Sequence, residues 1–281
     1  MSTSTSSGKG KDSKKTTREK AAAARAAAEA EQRRRDNMIR IVGGVVIVAL
    51  VAGIIFFAVK GSQSSNNTAS GGAGTTIVTD AKIPTGTNKA DSTLPWAVPV
   101  NTAAGKPTLS IWEDFQCPIC GEFDKTNGPT LEKWVSEGKV NLVWRVATFI
   151  DNTPSAKNGP NPYSSYRASM AYGCAIDASK GEDYRTLVFS NQPATEGNGW
   201  TNQQLLDFGK QVGITGDAYS TFEKCFNDQT FGQWVTNNVV TFNNDQVPGT
   251  PTAFLNGKEV PSQTLNDMTA LEKLISETPA A

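Results

Sequence analysis

Two short motifs carry the chemistry open to this chain: Cys117-Pro118-Ile119-Cys120 and, far downstream, Gly249-Thr250-Pro251-Thr252. Cysteines separated by two residues can bring their sulfurs to bonding distance, about 2 Å, across one helical turn, so the pair can cycle between dithiol and disulfide. The attacking species in such exchange is a thiolate, and an ordinary thiol is mostly protonated at neutral pH. A helix N-terminus favours the anion, because its free N–H groups and its dipole attract negative charge.

The elements that must supply that helix end are visible in the flanking residues. Thr108 to Phe115 (TLSIWEDF) reads as a strand, and Phe123, Leu131, Trp134 and Val135 recur at helical spacing beyond the cysteines, with Pro118 at the first helical position. Lys139 to Ile150 (KVNLVWRVATFI) reads as a second strand, which makes a β-α-β unit with a right-handed crossover. Helical spacing then marks Pro162 to Ser179, Glu182 to Asn191, Thr201 to Val212 and Ala218 to Val240. Strand character returns at Thr252; Phe254 and Leu255, an Asn256-Gly257 turn and Glu259-Val260 predict a hairpin, covered by a helix over Thr264 to Ile275. The fold class is α/β: a unit over 91–281, interrupted by a helical domain at roughly 155–245. Trp112, Trp134, Trp144, Trp200 and Trp234 fall in amphipathic segments and are expected in the core or along a groove, Trp112 beside the site.

The N-terminal part is not globular by composition. Residues 1–40 hold eleven Lys or Arg against five acids, with Ser and Thr crowding the start, and read as a basic cytoplasmic tail rather than a nucleic-acid-binding element. Ile41 to Val59 (IVGGVVIVALVAGIIFFAV) carries no charge and, at 1.5 Å per residue, is long enough to cross a hydrocarbon core roughly 30 Å thick. A cleaved signal peptide is the rival reading, but its apolar stretch is typically about 7 to 15 residues after a short n-region, and here some forty residues precede it, about as many as the tail. Arg33, Arg34, Arg35 and Arg40 crowd one side of the span, so the N-terminus is expected in the cytoplasm and everything after Lys60 outside it. Residues 60–90 are expected as a flexible linker, with Gly61 to Thr76 of the composition that behaves as a coil.

That topology bears on all four cysteines, since disulfides persist outside the cytoplasm. Cys174 and Cys225 lie within helical patterns of the insertion and are expected to pair as a structural disulfide; two buried thiols, or a second redox pair, are the alternatives. A structural zinc site at Cys117 and Cys120 would require two further close ligands, and the chain has no histidine, so no metal is expected. A purely structural disulfide there would leave Pro118 and the Gly249-Thr250-Pro251 loop without a purpose.

Asp114-Phe115-Gln116-Cys117-Pro118-Ile119-Cys120 resembles the strand-to-helix active-site segment of the DsbA-like thiol-disulfide oxidoreductases, in their membrane-anchored Gram-positive (actinobacterial) form. Val247 to Gly257 (VPGTPTAFLNG) resembles that family's cis-proline loop and hairpin. The resemblance spans roughly Pro107 to Ile275 and implies a thioredoxin fold with a helical insertion. It further implies a cis peptide before Pro251, substrate pairing along the backbone of Thr250, cysteine-containing secreted or unfolded proteins as substrates, no cofactor, and a membrane reoxidant of the DsbB or VKOR type. Two departures stand out. Ile111 occupies the place, six before Cys117, where many relatives carry a proton-relaying acid; Glu113 and Asp114 are near, but on a strand they face opposite ways. Ile119 stands where the most oxidising relatives have histidine. The expected activity is therefore an extracytoplasmic thiol oxidase, with a reductase or isomerase of the same fold and a non-enzymatic anchored module as the other readings.

Overall fold

A computed structural model describes residues 76–280. The expected membrane span and basic tail lie outside the described residues, and among the described residues no helix is long and apolar enough to cross a membrane.

The chain forms β1 (Val98–Pro99), β2 (Thr108–Glu113), α1 (Pro118–Ser136) and β3 (Asn141–Val146). A 3-10 turn at Phe149–Asn152 then leads into six helices: α2 (Pro154–Lys157), α3 (Ser164–Asp177), α4 (Gly181–Ser190), α5 (Asn202–Gln211), α6 (Gly216–Asn227) and α7 (Gly232–Asn244). β4 (Thr252–Leu255), β5 (Lys258–Val260), α8 (Ser262–Leu265) and α9 (Met268–Glu277) complete it. One sheet runs in the order β1-β3-β2-β4-β5. β2 and β3 pair in parallel through α1, and β4 returns antiparallel to β2, with Ile111 opposite Trp144 on one side and Ala253 on the other.

β2 is central, and covered on both faces. Leu109 and Ile111 join the main core and Glu113 meets Arg185 of α4, whereas Trp112 lies in a second cluster, against Phe242 of α7 at 5.3 Å between rings and beneath the Arg145 guanidinium at 3.9 Å. Burial on both faces takes in polar residues as well, Ser110, Glu113 and Asp114 among them, and it is the short segment with Leu109, Ile111, Trp112 and Phe115 that makes TLSIWEDF legible as a strand. The five tryptophans expected inside are all buried.

Two helical segments divide where the spacing predicts continuity. Ala218 to Val240 breaks into α6 and α7 at Asp228–Phe231, where Gln229 adopts a left-handed φ of 52°. The C-terminal helix breaks at Asp267, whose carboxylate accepts from the N–H groups of Thr269 and Ala270 and so starts α9 afresh. In both cases the apolar periodicity runs through a short turn that local polar chemistry creates.

The stretch expected as linker differs from expectation beyond Thr76. Asn237 of α7 pairs with the backbone of Val78 in both directions, at 3.0 and 2.8 Å, and Asp177 accepts from the N–H of Thr85 at 2.7 Å. Trp96 follows, its carbonyl held by Trp234 Nε1 and Asn238 Nδ2. Low local hydrophobicity hid this docking, because hydrogen bonds to distant insertion side chains hold the segment.

Cys174 of α3 and Cys225 of α6 are bonded, with Cα atoms 5.9 Å apart and a sequence separation of 51. Replacing both by Ala frees that loop in the unfolded chain and is expected to reduce stability by about 2 to 5 kcal/mol, measured by guanidinium denaturation, while thiol exchange at Cys117 persists.

Candidate active site

Cys117 caps α1 and Pro118 fills the first helical position, where a missing N–H costs nothing. The Cys117 carbonyl accepts from the N–H of Cys120 at 3.1 Å and of Gly121 at 3.2 Å, which closes the turn and brings both sulfurs to the helix end. The cysteines are buried, 4% and 2% exposed, while Ile119 between them is 62% exposed and forms an apolar knob beside the site.

The second motif arrives from the far end of the sheet. The Thr250-Pro251 peptide is cis, and the Cys117 thiol donates to the Thr250 carbonyl at 3.3 Å. Thr252 Oγ1 ties back to the Gly249 carbonyl at 2.8 Å, so the loop is closed on itself as β4 begins. Residues 133 apart in sequence thus meet because β2 and β4 are neighbours, with Trp112 opposite Thr252.

The two sulfurs are electrostatically unequal. The Cys117 pKa is lowered to about 6, chiefly because the Cys120 thiol donates to it; burial opposes this, and the N–H groups of Cys120 and Ile119 assist. Cys120 moves the opposite way, pushed well above the usual thiol range by complete burial and by the neighbouring Cys117 charge. One sulfur is poised as the nucleophile and leaving group, and the other holds its proton. Among the described residues, the largest contributions at Cys117 come from neutral groups, and no group of ligands fit for a metal ion exists.

Glu113 and Asp114 do face opposite ways, and each is absorbed by a different buried network. Glu113 accepts from Arg185 of α4 at 2.7 and 2.6 Å, and the same guanidinium reaches Asp124 of α1 at 2.6 Å and lies 3.5 Å over the Trp144 ring. Burial raises Glu113 to about 7 against the pull of Arg185, and Glu113 and Asp124 in turn hold Arg185 firmly charged despite its own burial. Asp114 accepts from the backbone of Gln116 at 2.9 Å and of Ile150 at 3.0 Å and from the Ser165 hydroxyl. Gln116 Nε2 donates in turn to Ser165 Oγ and to Asp151, which also caps the start of α3 through Ser165 and Tyr166. Burial first, and the nearby Asp151 charge second, push Asp114 well above the normal carboxylate range.

The structure brings together Cys117, Cys120, Pro118, Ile119, Thr250, Pro251 and the Asp114 backbone, whose carbonyl accepts from Cys117 N at 2.9 Å. Ile111 is buried in the core, so no acid stands at its position. Arg185, Asp151 and Ser165 were not legible beforehand. The one available signal was that acids at the end of a buried strand require partners, and the chain does not say which residues supply them.

Residues 101–276 match a family model described as Thioredoxin. Among solved structures, the fold is similar to the MdbA protein, a thiol-disulfide oxidoreductase from Actinomyces oris, at TM-score 0.56 and 18% identity, covering 71% of this chain and 91% of that one. It is also similar to oxidised BdbD from Bacillus subtilis, at TM-score 0.53 and 19% identity over 64% and 90% of the two chains. MdbA from Corynebacterium matruchotii aligns at TM-score 0.52 and 20% identity, over 69% and 92%. No curated protein matches the sequence.

Two outcomes are expected. In the reduced protein, alkylation of Cys117 gains rate through a midpoint near pH 6 and loses it as pH falls below that value; a midpoint near the ordinary thiol value of about 8.5 contradicts the geometry. Arg185→Leu leaves Glu113 and Asp124 buried without their cation, with a loss of about 3 to 5 kcal/mol by chemical denaturation. With a family match over residues 101–276, more than half its length, and the Cys-x-x-Cys turn, cis-proline loop and sheet order in place, the chain belongs to the thioredoxin family.

Proposed function

We propose that this chain is a membrane-anchored, extracytoplasmic thiol-disulfide oxidoreductase that oxidises cysteine pairs in secreted proteins. The observation that carries the reading is the asymmetry of the two sulfurs beside the Thr250 carbonyl. Cys117 is low and Cys120 high, which is the arrangement for one sulfur to form and leave mixed disulfides while the other waits. The MdbA neighbours, described as thiol-disulfide oxidoreductases, share the fold and agree with this reading.

The cycle starts from the Cys117–Cys120 disulfide. A substrate thiolate attacks Cys117 Sγ, forming a mixed disulfide and expelling Cys120 as thiolate, which takes up from solvent the proton that the substrate thiol gave up on ionising. A second substrate thiolate then attacks the substrate sulfur of the mixed disulfide and releases the Cys117 thiolate. The substrate gains one disulfide, and the enzyme retains two electrons as its dithiol. A membrane reoxidant of the DsbB or VKOR type would take those electrons, and tethering by Ile41 to Val59 would raise its local concentration.

Stabilising the Cys117 thiolate favours the dithiol and so makes the disulfide oxidising. Ile119 limits this, because it offers neither a donor nor a charge where a histidine would. The potential is therefore expected between about −200 and −130 mV, below the strongest oxidants near about −120 mV. Equilibration of the full-length chain in glutathione buffers, with free thiols on Cys117 and Cys120 trapped and counted, tests it. A value above about −180 mV supports the oxidase, and one near about −270 mV makes the chain a reductase. Cys117→Ala abolishes exchange on either reading, and retention of exchange by that variant ends both.

A further inference from the structure

The active-site turn is held from a side that the thioredoxin half does not supply. Gln192 lies just beyond α4, and its Nε2 donates to the Phe115 carbonyl at 2.8 Å and to the Cys117 carbonyl at 2.9 Å. One carboxamide therefore spans the three-residue turn that ends in the nucleophilic cysteine. Its backbone is itself fixed: Gln192 N–H returns to the Phe189 carbonyl at 3.3 Å, and Trp200 Nε1 holds the adjacent Asn191 carbonyl at 2.8 Å. The Phe115 and Phe189 rings, 5.0 Å apart, lock the same junction.

A second observation points to the same contact from the opposite side. Gly121 follows Cys120, and a Cβ there would lie 2.2 Å from Gln192 Oε1 and 2.8 Å from its amide carbon. Its φ is not in the left-handed region, so backbone conformation does not require glycine; space for the carboxamide does.

We propose that Gln192 is a positioning residue for the redox pair, through which the helical insertion holds the Phe115–Cys117 turn so that the α1 N–H groups aim at the Cys117 sulfur. The inference rests on the exchange reading given above. The Phe115 peptide that Gln192 holds by its oxygen donates, through Gln116 N–H, to Asp114 at 2.9 Å, so the turn is gripped on both edges. If the grip is lost, the turn relaxes, the N–H groups of Ile119 and Cys120 address the sulfur less well, and the thiolate is less stable. The dithiol then loses its advantage, and the glutathione equilibrium moves toward the Cys117–Cys120 disulfide.

Two full-length variants test this, Gln192→Met, which keeps length and removes the donor, and Gly121→Ala, which leaves Gln192 in the chain but displaces its amide. Each is read by the glutathione equilibrium constant and by the pH midpoint of Cys117 alkylation. The expected result is a shift of about threefold to tenfold toward the disulfide in both, the size of one or two lost hydrogen bonds, with a raised midpoint. A role confined to stability would lower the melting temperature of both redox forms alike and cancel from the equilibrium. A constant within about twofold of the parent in whichever variant folds overturns the proposal. Failure of the parent chain itself to equilibrate with glutathione refutes the exchange reading instead, so the two failures are distinct.

Discussion

A negative charge on a sulfur that is almost wholly removed from water is the constraint to which the rest of this structure answers. Such a charge is costly unless donors surround it, and among the described residues no cation ranks with the groups that stabilise it at Cys117. Neutral groups do the work: the Cys120 thiol and the N–H groups at the start of α1. Neutral donors act only at short range and good angle, so the site depends on how firmly its backbone is held. That dependence explains why polar side chains grip the turn from Asp114 to Cys117 from several elements.

The same sheet creates the second demand. β2 is covered on both faces, yet it ends in Glu113 and Asp114 immediately before the redox turn, and two buried carboxyl groups must each find partners. The insertion provides them. Arg185 from α4 answers Glu113 and also seizes Asp124 one turn below Cys120, and Ser165 from α3 answers Asp114 with Asp151 behind it. Two of the inserted helices, α3 and α4, thus complete the buried surroundings of the turn. Their own integrity is tied by the Cys174–Cys225 bond and by the segment from Val78 to Trp96, which is pinned to α3 and α7.

Local physics was sufficient for the parts that short stretches encode. The β2 apolar run, the cysteine pair with proline at N1, the Asn256-Gly257 hairpin and the buried tryptophans all follow from residue type and periodicity, and the structure has each. Helix ends were less legible at Gln229 and Asp267, where one polar residue interrupts a continuous apolar pattern. The docking of residues 78–97 was not legible at all, because Asn237, Asp177 and Asn238 are ordinary surface-type residues until the fold places them beside that backbone.

By itself the amino-acid sequence determined that a Cys-x-x-Cys pair opens a helix, which sulfur comes first, and that a second loop carrying Pro251 exists downstream. Those are properties of spacing and of single residues, and they survive without knowledge of distant contacts. Only the tertiary structure decided that Thr250 stands 3.3 Å from Cys117, that Cys120 and not Cys117 keeps its proton, and that Arg185, Ser165 and Gln192 converge on the turn. The physical reason is that burial and hydrogen bonding act over a few ångströms in space, and residues dozens of positions apart come within that range only once β2, β4 and the insertion have packed.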